Sequence, residues 1–173
     1  MVDNQGEYKW FVARTRYFRH EVMIGKWLTE REIENFVPTE RRLIRRKSGK
    51  SFIDKPLAPN LVFLKTSKEE ACSLVSEARL PMRFIIDCAT QRMMVVPEKE
   101  MSDFQRVFDC SLDEGGLIDK PLKLGEAVNV SRGPLKGVEG FVVEEPGKTD
   151  VVVGLSGMLW ARAKVPRAWL VES

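Results

Sequence analysis

The sequence predicts an α+β fold followed by a small all-β module, and three observations predict it. Residues 1–110 alternate strand-like and helix-like patterns in the order β-α-β-β-β-α-β-β-α. That order implies a mostly antiparallel sheet with helices packed on it. Residues 123–173 place glycines at 125, 133, 137, 140, 147, 154 and 157, with Val-rich segments between them. This is the rhythm of short strands closing into a small barrel. Between the two, Asp113-Glu114-Gly115-Gly116 and Lys120-Pro121 interrupt any regular element. The expected division is a first domain over 1–110, a linker over 111–122 and a second domain over 123–173. A chain of 173 residues has room for two such domains. A barrel of roughly 50 residues has a small core and limited stability.

Each element has its own signal. Tyr8–Arg14 alternates as a strand does. Residues 20–32 repeat at helical spacing: Met23, Ile24, Trp27, Leu28 and Arg31 share a stripe, with Arg19, Glu21, Lys26 and Glu30 expected on the wet side. Phe36-Val37-Pro38 ends that unit and opens an extended segment. Arg41–Lys47 and Ser51–Lys55 flank Ser48-Gly49-Lys50, which reads as a hairpin tip. Leu61–Leu64 is a buried-type strand. Ser67-Lys68-Glu69-Glu70 is a capping box, and Ala71, Leu74, Val75 and Ala78 stripe the helix after it. Arg83–Asp87 and Met93–Val96 make a second hairpin around Cys88–Arg92. Pro97 suits a helical first turn, with Met101, Phe104, Val107 and Phe108 facing inward.

Composition excludes several functions. The chain carries 28 Lys and Arg against 25 Asp and Glu, a net of +3. The balance is uneven: residues 41–50 hold six positive charges and no negative one. Without that run, residues 1–120 hold 15 basic against 19 acidic groups. The single histidine, His20, argues against His-based metal or triad chemistry and reads as a surface or half-buried helix residue. Cys72, Cys88 and Cys110 are odd in number, with no CxxC pair, so zinc and dithiol chemistry are not expected. Cys72 and Cys88 are expected to be buried small apolar groups. A reducing cytoplasm fits this usage. Apolar runs are too short for a membrane span, and the polar, acidic Met1–Glu7 does not read as a signal peptide. No convergent nucleophile, base or metal set is visible, so a non-enzymatic protein without a cofactor is expected.

Four stretches resemble a known family in order and separation. They are Trp10-Phe11-Val12-Ala13-Arg14 with Glu21 following, and Phe36-Val37-Pro38-Thr39-Glu40 leading into the basic hairpin. The third is Pro56-Leu57-Ala58-Pro59-Asn60-Leu61-Val62-Phe63. The fourth is Gly125-Glu126 through Val128, Val130, Gly133-Pro134-Leu135, Gly137, Gly140 and Val142, with Val165-Pro166 and Leu170-Val171 closing it. Together they resemble NusG-type transcription elongation factors, whose N-terminal NGN domain is followed by a KOW domain. Asn60 is more similar to the specialised antitermination paralogues, such as RfaH and the UpxY-type regulators of capsular-polysaccharide operons. The third stretch resembles the family's signature Pro-Leu-Phe-Pro-Gly/Asn-Tyr-x-Phe; its aromatic before the second proline is Ala58 here, and its tyrosine is Leu61.

The resemblance implies that the first domain docks on the clamp helices of RNA polymerase, suppressing pausing or termination, with the chain working as a monomer. Phe11, Leu57, Ala58, Pro59 and Leu61 would form the docking depression, a helix-in-groove contact; by pattern alone these residues read as core. Arg41, Arg42, Arg45, Arg46 and Lys47 would contact phosphates of upstream or non-template DNA, or else form a merely solvated hairpin. Strand alternation keeps those arginines from sharing one face. Arg79 would pair with guanine or stack on an unpaired base, or serve as a helix C-terminal cation. In the KOW domain, Val138, Val142 and the loop Leu155-Ser156-Gly157 would hold a ribosomal protein or Rho. Trp160 is either a partner hot spot or core. Some paralogues refold this domain as a helical hairpin; the glycines and the runs Val142-Val143 and Val151-Val152-Val153 favour strands. The competing class is an RNA-binding KOW module of ribosomal-protein type.

Overall fold

Strand β1 (Lys9–Thr15) is central to the first unit because its residues are apolar on both sides: Trp10, Phe11, Val12 and Ala13 are all buried. The computed structural model describes residues 6–111, 117–118 and 124–173. After β1 come α1 (Glu21–Glu30), β2 (Glu34–Phe36), β3 (Thr39–Arg46), β4 (Gly49–Pro56), β5 (Leu61–Thr66) and α2 (Lys68–Ser76). Four short strands follow: β6 (Met82–Phe84), β7 (Ile86–Asp87), β8 (Arg92–Met93) and β9 (Val95–Val96). The main sheet has the order β2-β5-β1-β6, with β9 also on β1, and every pairing is antiparallel.

Register sorts the side chains. Phe11 lies opposite Leu64 and Ala13 opposite Val62, on the face that takes Ile24 and Leu28 of α1 and Leu74 of α2. Trp10, Val12, Leu61 and Phe63 belong to the other face and are also buried. Burying such side chains contributes about 1.5–3 kcal/mol each. Strands β3 and β4 pair only with one another among the described residues, forming a ribbon apart from the sheet. Its turn is the two residues Lys47-Ser48, one position earlier than the sequence suggests, because Gly49 takes φ +124° and pairs with Arg46.

Three expectations are corrected. Glu21 is fully buried rather than wet, and Met23 is exposed rather than in the stripe; α1 turns Ile24, Gly25 and Leu28 inward. Cys72 and Cys88 are exposed, since their neighbours Ala71 and Leu74 fill the inward positions of α2 and residues 88–91 form the β7–β8 turn. Ser67 caps α2 by accepting the Glu70 N–H at 3.2 Å, but the Glu70 carboxylate accepts from the Thr66 hydroxyl.

The second unit runs from Glu98 to Ser173 and the first ends at Pro97. The third helix, α3 (Glu98–Ser111), therefore groups with the C-terminal strands, whereas the sequence assigns it to the first domain. Its polar side chains supply the reason. Lys99 donates to the Gly137 carbonyl at 2.8 Å, and Arg106 donates to the carbonyls of Pro134 and Lys136 at 2.9 and 2.7 Å. Asp103 accepts the Glu139 N–H at 3.1 Å, and Glu100 accepts that of Ser156. Most of the expected linker lies outside the described residues, but Leu117–Ile118 forms a strand, β10. Then follow β11 (Ala127–Val130), β12 (Glu139–Glu145), β13 (Lys148–Leu155), β14 (Leu159–Lys164), a 3-10 turn at Arg167–Trp169, and β15 (Leu170–Glu172). They form a six-stranded antiparallel sheet of order β10-β14-β13-β12-β11-β15. The segment is thus β-rich, as its glycines and valines predict.

Candidate functional site

The signature Pro56–Phe63 resolves into a tight turn. The Leu61 N–H reaches back to the Ala58 carbonyl at 3.4 Å, with Pro59 and Asn60 between. Asn60 has φ +63°, so the turn needs proline then a residue tolerant of the left-handed region, and this sequence supplies both. The turn is clamped from two sides. Glu21 Oε1 accepts the Asn60 N–H at 2.9 Å. Thr15 Oγ1 donates to the Tyr17 carbonyl at 3.0 Å and lies 3.3 Å from Asn60 Oδ1. The second Glu21 oxygen is buried without a partner among the described residues. Glu21→Ala should cost about 1–3 kcal/mol in urea unfolding, because it leaves the part-buried Asn60 N–H without its acceptor. Glu21→Gln keeps an acceptor and should cost less; equal losses would show that the clamp contributes nothing.

The five candidate docking residues do not share a surface. Leu57, Ala58, Pro59 and Leu61 cluster at the turn. Phe11 projects to the opposite face of the sheet, where its ring meets Phe84 at 6.1 Å and borders a shallow groove with Ile86, Met93 and Val95. Alternation explains this: Phe11 pairs with Leu64 and Leu61 with Arg14, three positions apart along β1. Ala58 is 2% exposed, Leu61 is buried and Leu57 is half-buried, so Pro59 is the most accessible of the set.

Beside this turn lies a cationic rim. The Thr15 N–H donates to the Asn60 carbonyl and the Arg16 N–H to the Pro81 carbonyl, which brings the 16–20 loop, the signature turn and the Arg79–Pro81 turn together. Arg14, Arg16, Arg19, Arg79 and Arg83 are all exposed there. Arg14 and Arg83 sit directly opposite in the β1–β6 register, a like-charge pair that costs stability. Tyr17 and Phe18 are largely exposed; the Arg19 guanidinium lies 5.3 Å from the Phe18 ring centre and the His20 ring 5.1 Å from that of Tyr17. Arg19 and Arg79 have φ +67° and +54°, left-handed strain gathered at one rim. Sequence reasoning singled out Arg79 alone. The missed signal was the basic–aromatic alternation of Arg16-Tyr17-Phe18-Arg19 between a strand end and a helix start.

Arg79 fills the left-handed position that ends α2, where the Leu80 N–H reaches the Leu74 carbonyl at 3.1 Å. Glycine is the usual residue there. Arg79→Gly should leave stability unchanged or raise it by up to about 1 kcal/mol. Any loss of DNA affinity in that variant then belongs to the guanidinium; thermal unfolding and anisotropy titration together check both halves.

The ribbon divides its charges as alternation requires. Arg41, Leu43 and Arg45 face one side with Lys50, Phe52 and Asp54; Arg42, Ile44 and Arg46 face the other with Ile53, and Lys47 is in the turn. Arg42 pairs with Glu40 at 2.7 Å.

In the second unit, Val138 and Leu155 are buried, and the Ser156 N–H is taken by Glu100 of α3. Val142 and Trp160 are half-buried and Gly157 is exposed. The Trp160 ring lies over Gly154, its partner across β13 and β14. The candidate partner surface is therefore reduced to Val142, Gly157 and the edge of Trp160. Among the described residues no group of His, Cys, Asp or Glu could hold a metal, and no helix is long and apolar enough to cross a membrane.

Fold and surface define a class: an antiparallel α+β domain bearing arginine-rich surfaces, joined to a β-rich unit. A family model described as "Transcription termination factor nusG" matches residues 8–105, and the chain belongs to the NusG family. That family comprises non-enzymatic transcription elongation and termination factors that bind RNA polymerase. The curated proteins contain no match to the chain.

Proposed function

We propose that this NusG-family protein is an operon-specific antitermination factor of the capsular-polysaccharide type. The Leu57–Leu61 turn docks on the polymerase clamp helices, while the ribbon and the arginine rim hold upstream or non-template DNA. Docking favours the elongating state over the paused one by binding it more tightly. The second unit acts as a KOW domain that recruits a ribosomal protein or Rho through Val142, Gly157 and Trp160. The observation that carries this reading is the juxtaposition of the clamped signature turn with five exposed arginines and two exposed aromatics. Arginines supply phosphate affinity, and exposed aromatics supply stacking surfaces for unpaired bases.

The test is capture of polymerase by the full chain, followed by transcription through a terminator. Read-through should rise, and polymerase subunits should be captured. Structured RNA captured without polymerase would instead establish the ribosomal-protein type of module. Pro59→Glu, at the exposed corner of the turn, should weaken polymerase capture roughly tenfold or more while the fold persists. Ala58 is unsuited to this test because a buried carboxylate there would unfold the unit.

A further inference from the structure

The β3–β4 ribbon carries apolar groups that its phosphate role does not use. Phe52 is 61% exposed and Leu43 49% exposed, directly opposite one another in the register. Directly opposite residues share a face. On that face Arg45 and Lys50 lie toward the tip, and Arg41 and Asp54 toward the base. The Arg41 guanidinium stands 4.6 Å from the Phe52 ring centre. A ribbon with free edges is commonly guarded by charged side chains, prolines or bulges. An exposed aromatic among arginines does not serve that purpose.

We propose that this face is a base-stacking wedge, which takes an unpaired or fraying DNA base on Phe52 at the junction between duplex and single strand. The proposal rests on the reading of the ribbon as a DNA-contacting element and names which part of the DNA it meets. Charge complementarity selects the occupant. Residues 39–56 hold seven basic groups against Glu40 and Asp54, which suits a phosphate chain. Any base offers a π-face to an aromatic ring, and the Arg41 guanidinium, which lies over the Phe52 ring, can itself stack on a base. Phe52 stands four residues from Ser48 of the turn, about 13 Å along the strand, so the tip charges can hold the duplex while Phe52 meets its opened end. A fully paired duplex offers no such face, so the wedge adds affinity only where bases are unpaired.

Phe52→Leu tests this. Leucine keeps an apolar residue directly opposite Leu43 and removes the ring. The full chain is titrated against a duplex with unpaired arms at one end and against the fully paired duplex of the same sequence. Affinity for the forked DNA should fall about tenfold, the size of one aromatic–base stack, with the paired duplex unaffected. Phe52→Trp should restore the preference. With iododeoxyuridine at the junction, irradiation of the wild-type complex should give an adduct that maps to Phe52. Equal binding of the fork by wild type and Phe52→Leu would overturn the wedge. So would an equal loss on both DNAs, or a loss of polymerase capture with DNA binding unchanged. A wild-type chain that captures no polymerase is a separate result, which sinks the transcription-factor reading and not the stacking.

Discussion

Replacing Arg45, Arg46 and Lys47 together with glutamine should lower DNA affinity by roughly two to three orders of magnitude near 0.1 M salt. Each phosphate contact contributes about 0.9 to the slope of log affinity against log salt, so losing three makes the slope shallower by about 2.7. The geometry makes the number informative. Arg45 and Arg46 project from opposite faces of the ribbon, and Lys47 occupies its turn. A flat duplex surface can engage one face and the turn, which is two charges and a change of about 1.8. Only nucleic acid on both sides of the tip, as at a transcription bubble, engages all three. An anisotropy titration across a salt series separates the two geometries, and an unchanged slope would remove the phosphate role. Stability should stay within about 0.5 kcal/mol, because all three side chains are exposed.

Much of this was legible in local pattern, and what was not depended on partners far away in sequence. The strands, the three helices and the ribbon follow from periodicity and turn residues. Ile24 and Leu28 were correctly read as core. Glu21 was misread because hydropathy places a carboxylate outside, whereas its partner, the Asn60 amide, is 39 positions further on. The signature turn was read as a docking motif, yet its proline and asparagine are first of all the chemistry of a tight turn with a left-handed residue. Phe11 and Leu61 were grouped by family resemblance. The β1–β5 register, which no single strand reveals, puts them on opposite faces. The boundary after residue 110 followed a glycine-rich break in the sequence. What ties α3 to the second unit is a set of hydrogen bonds to backbone groups 28 to 56 residues further on, and composition carries no trace of such bonds. The rim around Arg16–Arg19 lies in a short connection between strand and helix, which carries no periodicity.

Gly133→Ala should be the most damaging single methyl in the second unit. Gly133 has φ +80°, and a Cβ there would drive into the Trp169 ring. Trp169 cannot move freely. Its carbonyl accepts from the Ser131 amide at 2.7 Å and the Ser131 hydroxyl at 2.8 Å, and it leads directly into β15, which pairs with β11 at three positions. Left-handed backbone costs an alanine about 1–2 kcal/mol, and overpacking adds about 1–3 kcal/mol. A unit of this size has roughly 4–11 kcal/mol of stability, so the sum is a large fraction of the whole. Gly137→Ala provides the control. Its φ is +87°, but nothing lies within 4 Å of the added Cβ, so it meets the backbone cost alone. Hydrogen exchange of the β11 and β15 amides should therefore show Gly133→Ala losing about 1–3 kcal/mol more than Gly137→Ala. Equal losses would mean that the ring does not rest on Gly133 and that the glycine serves its turn alone. A larger loss confined to β15 and the 3-10 turn would show that the indole is what fastens the last strand to the sheet.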